Sequence, residues 1–167
     1  MHMLRMLDDG YLVWQLENIA TGSICPSLIA ELKEWKQTSM FSKEAGGVLL
    51  GFIDSNTDGL LCETLTKPGK GDKRGRSSFF RGKRHQSEAN DWHKTTKAKG
   101  TQLGLWHTHP ESKPMPSSVD IEDFRNTIKT GMYCTNGILY IIVGTKYTGF
   151  WYGAKEVGLT LIGYFEI

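Results

Sequence analysis

His107-Thr108-His109-Pro110 sets two imidazoles one residue apart, and Ser117 and Asp120 follow a short way on. Residues i and i+2 of a strand project to the same face. A strand ending here would therefore present both imidazoles to one point, each about 2.0–2.1 Å from a zinc ion held there. Pro110 removes a ladder donor and ends the strand. Ser117 or Ser118 can cap the next helix, which puts Asp120 in its first turn, where the helix dipole favours an ionised carboxylate. Coordination requires that same ionised form. Three such ligands leave a fourth position for water, whereas a structural zinc site normally takes four protein ligands.

Zinc in such a site brings the pKa of bound water to about 7. Hydrolysing an amide then needs a base that takes the water proton and passes it to the departing nitrogen. It also needs a donor for the developing oxyanion, and Ser117 is placed to be that hydroxyl. For the base, Glu44 is the best candidate, because it directly precedes the apolar run Ala45 to Gly51. A carboxylate at the start of a buried strand is partly desolvated, and its pKa rises toward neutrality. Spacing alone does not single out Glu44 among the many acidic residues.

The elements that must carry these groups are legible in part. Tyr11 to Leu16 is rich in aromatic and branched residues and predicts a strand. Pro26 to Gln37 predicts a helix, with Pro26 in its first turn and Leu28, Ile29, Leu32 and Trp35 forming one apolar stripe. Gly46 to Ile53 and Leu60 to Leu65, separated by the turn residues Asn56 to Gly59, predict a hairpin. Lys67 to Arg84 is dense in Gly, Lys and Arg and reads as an exposed basic loop, with Phe79 and Phe80 packing back at its far end. His85 to Lys97 predicts a short helix anchored by Trp92. Gln102 to His107 predicts the strand that leads into the histidines, with Trp106 pointing away from them into the core.

A helix from Ser117 or Ser118 to about Ile128 follows, with Ile121, Phe124 and Ile128 at helical spacing. Three further strands are expected at Ile138 to Val143, Tyr147 to Trp151 and Leu159 to Phe165. Two or three helices with six or seven strands, mostly in hairpins, point to an α+β fold.

The 167 residues fit one domain. A net charge of +2 is too small to imply a nucleic-acid partner, and in the basic loop aromatic interleaving stops at Phe79 and Phe80. Cys25, Cys62 and Cys134 lack CxxC spacing, which removes a zinc ribbon or redox motif and fits a reducing compartment. Neither a signal peptide nor a bilayer-spanning run is evident, so a soluble cytoplasmic protein is expected. Gly46, Gly47 and Gly51 lack the phosphate-loop pattern and lie inside an apolar run.

Taken together, Glu44 before a glycine-containing apolar strand, His107-Thr108-His109-Pro110, Ser117 and Asp120 resemble the JAMM (MPN+ or JAB) zinc metalloproteases. The resemblance spans roughly Lys43 to Gly153 within a single domain of residues 1–167. It implies a mixed sheet flanked by helices, of the cytidine deaminase-like type. It also implies zinc on His107, His109 and Asp120, Glu44 as general base and acid, and Ser117 steadying the tetrahedral intermediate. Family members cleave the isopeptide or peptide bond after the C-terminus of a ubiquitin-like protein. Phe79-Phe80-Arg81, His85-Gln86, Trp92 and Leu105-Trp106 are similar to the small bacterial JAB proteins of antiphage operons, CBASS among them. That narrower likeness implies a ubiquitin-like protein or its conjugate as partner, with a cyclic-nucleotide synthase as the conjugated target.

Two other readings compete. A non-catalytic MPN-type scaffold would grip the same partner without cutting it, and a hydrolase of small amides would need no folded partner. The basic loop is a solvated connection or a grip on the partner. His85 and His93 are surface or packing residues, unless His85 touches substrate.

Overall fold

The computed structural model describes residues 2–131 and 133–167. Among these residues the strands are β1 (His2–Met6), β2 (Leu12–Leu16), β3 (Ala20–Ile24), β4 (Gly46–Ile53), β5 (Leu60–Leu65), β6 (Lys73–Gly75), β7 (Ser78–Phe80), β8 (Gly100–Thr108), β9 (Gly137–Val143), β10 (Tyr147–Ala154) and β11 (Gly158–Glu166). The helices are α1 (Pro26–Glu34), α2 (Arg84–Thr95) and α3 (Ser118–Thr130). Nine strands form one mixed sheet in the order β1-β2-β3-β5-β4-β8-β9-β10-β11. Only the β3/β5 and β8/β9 pairs within it are parallel. The fold is α+β.

Strand β8 runs between β4, antiparallel, and β9, parallel. Both sheet faces are covered here, so β9 reads Gly-Ile-Leu-Tyr-Ile-Ile-Val and is buried at every position. Leu139, Ile141 and Val143 pack with Leu28 and Leu32 of α1, and Ile138, Tyr140 and Ile142 pack with Ala89 of α2 and Phe124 of α3. Fully burying one such aliphatic side chain contributes about 1.5–3 kcal/mol. The two layers together fix β8 from above and below.

A bulge sets which face of β8 each side chain takes. Leu49 pairs with Gly104 and Leu50 with Gln102, so Leu103 is left without a partner on β4. Leu103 and Trp106 then join the α1 side, while Leu105 joins the α2/α3 side. His107 follows Leu105 onto that side, its ring 5.4 Å from that of Tyr140. Trp106 is fully buried on the opposite face, as expected.

The structure departs from the sequence expectations in three places. β1 and β3 are additional strands: β1 pairs with β2, and β3 links β2 to β5. Helix α1 ends at Glu34 rather than Gln37, because the buried Gln37 amide turns to the carbonyls of Ser42 and Arg76. The basic segment is not wholly loop either. β6 and β7 form a separate two-stranded hairpin that pairs Arg74 with Phe79. Phe79 packs back onto the sheet, but Phe80 is exposed. Gly46 makes the close approach of Phe79 feasible, since a Cβ there would lie 2.6 Å from the Phe79 ring.

Candidate metal centre

His107 is the penultimate residue of β8 and His109 lies just beyond the strand, its N–H donating to the Val143 carbonyl of β9. Asp120 is the third residue of α3. Their ligand atoms converge. His107 Nε2 and His109 Nε2 are 2.9 Å apart, His107 Nε2 is 3.1 Å from Asp120 Oδ1, and His109 Nε2 is 3.0 Å from Asp120 Oδ2. Two donors bound tetrahedrally at zinc–nitrogen distances of about 2.0–2.1 Å are separated by roughly 3.3 Å. Opening the cluster by a few tenths of an ångström meets that spacing, so the donor set fits a divalent first-row ion. Both histidines are buried, at 5% and 7% exposure.

Local hydrogen bonds hold each donor. Asp120 is locked into the start of α3 by a reciprocal cap with Ser117. His109 Nδ1 donates to Glu111 Oε1 at 2.8 Å, which leaves Nε2 free to ligate. Glu111 is itself steadied by the Met115 N–H. Thr108, between the two histidines, faces the other way. Its hydroxyl donates to Gln37 Oε1 and accepts the Ala45 N–H, tying β8 to the chain just after Glu44.

Charge in the cluster follows from burial and pairing. Burial lowers the His107 pKa below its ordinary value. Burial also opposes charge on His109, but its hydrogen bonds to Asp120 and Glu111 outweigh that and hold it up at about 9. Burial would raise the Asp120 pKa, yet the hydrogen bonds from both histidines and the Ser117 N–H hold it well below the usual carboxylate range. Without metal, a proton on His109 balances Asp120.

Glu44 lies two residues before the start of β4, whose first residue, Gly46, pairs with His107. It is 5% exposed. Burial, helped by the charges of Asp120 and Glu111 and opposed by that of His109, pushes its carboxyl up to about 7. A group poised there exchanges protons at neutral pH. Ser117 is exposed at the mouth of the site, and its Oγ accepts the Asp120 N–H at 3.1 Å. The sequence reading assigned that hydroxyl to an intermediate and offered Ser117 or Ser118 as the helix cap; the cap is Ser117, and the residue it holds is a ligand.

Beside the cluster opens a cleft of about 230 Å³ with His107, Asp120 and Tyr140 at its floor, and Phe79, Phe80 and Val119 on its walls. Arg81 forms another part of the wall, held by Asp123 at 2.7 Å. A larger cavity of about 700 Å³ lies between α2 and the end of α3, and none of the cluster residues lines it. His85 is buried rather than at the surface. Its Nε2 donates to Asp72 Oδ2 at 2.9 Å, and its Nδ1 accepts from Thr66 Oγ1 at 2.5 Å. Cys25 and Cys62 are buried, and Cys134 is exposed. No helix among the described residues is long and apolar enough to cross a membrane.

Sequence reasoning missed Glu111, Gln37 and the hairpin residues around Glu44. Glu111 carried a usable signal, since it is a carboxylate two residues after a histidine ligand, where an orienting partner is wanted. Gln37 carried none.

Comparison with known proteins bears on this arrangement. The family of prokaryotic homologues of the JAB domain matches residues 27–153. A Vibrio cholerae serotype O1 protein named CD-NTase/cGAS isopeptidase is 33% identical over 152 residues, covering 90% of this chain and 92% of its own. Proteins of the same name from Escherichia coli strain TW11681 and Pseudomonas aeruginosa are 33% and 35% identical. They cover 79% and 71% of this chain, and 80% and 73% of their own lengths. The solution structure of protein DSY2949 from Desulfitobacterium hafniense shares the fold, with a TM-score of 0.55 at 20% identity over 80% of this chain and 83% of that one. With its sheet, its His-His-Asp cluster and a match that runs over most of its length, the chain belongs to the prokaryotic JAB-domain family.

Proposed function

We propose that this chain is a zinc-dependent isopeptidase. It hydrolyses the amide bond after the C-terminus of a ubiquitin-like protein and so frees that protein from a conjugated target. The target class we favour is a CD-NTase-type cyclic-nucleotide synthase, in cytoplasmic antiphage defence. The observation that carries the reading is the buried Glu44 carboxyl, poised near pH 7 beside the His107–His109–Asp120 cluster. The names of relatives one-third identical over most of this chain support the bond type and the target.

Zinc, when bound, supplies a water acidic near neutrality and polarises a carbonyl. His107, His109 and Asp120 are the residues to hold it. Glu44 takes the proton of the attacking water and returns it to the departing amine nitrogen. The Ser117 hydroxyl accepts one hydrogen bond from Asp120, and its own hydrogen is left to donate to the developing oxyanion. Phe79 and Phe80 line the cleft beside the cluster, an apolar surface over which an extended tail ending in small residues would lie.

Metal-replete protein incubated with a purified conjugate of a ubiquitin-like protein and a CD-NTase should release both components. Chelation should stop the release, and zinc should restore it. Binding of the conjugate without cleavage would leave a scaffold. Cleavage of short peptides with no folded ubiquitin-like protein would make the chain a general amidase.

A further inference from the structure

Hydrogen bonds from the β6–β7 hairpin hold both ends of the Glu44 peptide. The Glu44 N–H donates to the Gly75 carbonyl at 2.7 Å, and Arg74 Nε donates to the Glu44 carbonyl at 2.7 Å. Arg74 Nη2 also reaches the Lys43 carbonyl. The guanidinium lies over the Trp35 ring, 5.8 Å from its centroid, and Trp35 in turn packs on Trp106 beside the first histidine. Arg76 of the same hairpin binds the Met40 carbonyl, and its own carbonyl accepts the Gln37 amide. The segment that delivers Glu44 is therefore secured on its near side by the inserted hairpin and Gln37, and just beyond it, at Ala45, by Thr108 at the end of β8.

The hairpin is itself anchored by a buried polar relay. Asp72, whose side chain is fully buried, accepts the N–H groups of Gly69 and Gly82 and the Nε2–H of His85. The Thr66 hydroxyl accepts the Val48 N–H of β4, so its own hydrogen goes to His85 Nδ1. Hydrogen bonds thus run from β4 through Thr66, His85 and Asp72 to both flanks of the hairpin. From the far strand, Phe79 rests on Gly46 and edge-on to His85. An arginine held in this way has little freedom, and a basic segment that reads as solvated loop becomes part of the site's frame.

We infer that Arg74 is a positioning residue for Glu44: through two backbone carbonyls it fixes where the carboxylate stands relative to the His107–His109–Asp120 cluster. This rests on the reading of Glu44 as the base. A displacement of about 1 Å at a reacting group can cost on the order of 100-fold in rate, so the effect belongs in kcat rather than KM.

The test uses Arg74→Met, which keeps an unbranched apolar stem over Trp35 and removes the N–H donors, together with Arg74→Lys, which restores a donor. In full-length, zinc-loaded protein, Arg74→Met should lower kcat for conjugate cleavage by about 10–100-fold, with KM and zinc content unchanged. Arg74→Lys should recover part of the loss. Adding Arg74→Met to Glu44→Gln should cost nothing further, because Arg74 acts only through Glu44. Independently of activity, hydrogen exchange at the Glu44 amide should quicken at least tenfold in Arg74→Met while the amides of β8 keep their protection. A raised KM, lost zinc, an additive loss on top of Glu44→Gln, or an unchanged Glu44 amide overturns the inference. If Glu44→Gln itself cleaves at the full rate, the base assignment falls and the positioning role falls with it. If Glu44→Gln cleaves only at a slow residual rate and both Arg74 variants are normal, the positioning role alone fails.

Discussion

Ser117 and Asp120 cap each other. The Ser117 N–H donates to Asp120 Oδ2 at 2.8 Å, and the Asp120 N–H donates to Ser117 Oγ at 3.1 Å. A candidate metal ligand is thus also the third residue of a capping box, and the helix start that favours its ionisation holds it in place. Ser117→Ala should lower stability by about 1 kcal/mol, or roughly 2–4 °C in melting temperature for a chain of this size. It should also weaken zinc binding about tenfold as the first turn frays, and Ser117→Thr should restore both. If Ser117→Ala leaves melting and zinc affinity untouched but slows cleavage by about 10²–10³-fold, the hydroxyl acts on the intermediate alone.

Zinc and a proton compete for His109. Against the pull of burial, Asp120 and Glu111 hold its pKa at about 9 in the metal-free protein, and only the neutral ring can ligate. At pH 6, where a zinc-bound water still keeps its protons, each zinc bound should therefore expel close to one proton. Affinity should fall at least tenfold for each pH unit from 8 to 6. Calorimetry in buffers of different ionisation enthalpy reads the proton count directly. Zinc uptake without proton release at pH 7 would mean that His109 is already neutral.

Glu111→Ala has two effects of opposite sign. It removes the partner that fixes the His109 ring, a loss that typically costs 10–100-fold in metal affinity. It also removes a group that raises the His109 pKa, which eases proton competition at neutral pH. The deficit in zinc affinity should therefore be largest above pH 9 and smaller at pH 7. Titrations at the two pH values check this, and a deficit that grows toward low pH would contradict it.

What the sequence disclosed was local. His107, His109, Ser117 and Asp120 sit on one strand end and the next helix start, so alternation, a proline stop and a cap were enough to place them. Trp106 on the far face followed from the same alternation. Strand β3 was hidden because Ala-Thr-Gly-Ser-Ile is small and polar, and one of its two pairing partners, β5, lies far along the chain. The β6–β7 hairpin was hidden by charge, as Arg74 and Arg76 read as solvated cations. Their actual partners are backbone carbonyls of the segment before β4, 30 and 36 residues away. The relay of Thr66, His85 and Asp72 was out of reach for the same reason, because each member's role depends on a neighbour that only the folded chain supplies.

Glu44 works against the stability of the fold it serves. Burial raises its folded pKa from the ordinary 4.5 to about 7. Its contribution is therefore fully favourable below about pH 4.5, where both states are protonated. It is lost progressively as pH rises to 7, because the folded state holds the charge less well than the unfolded one. Glu44→Gln mimics the protonated form at every pH. In chelated protein the variant should match the parent at pH 4.5 and exceed it at pH 8.5 by about 1–3 kcal/mol, while cleavage in the zinc-loaded variant falls to a slow residual rate. Thermal melts at the two pH values decide the matter. Equal melting at pH 8.5 would mean that the carboxylate is well solvated, and a base poised near neutrality would lose its physical cause.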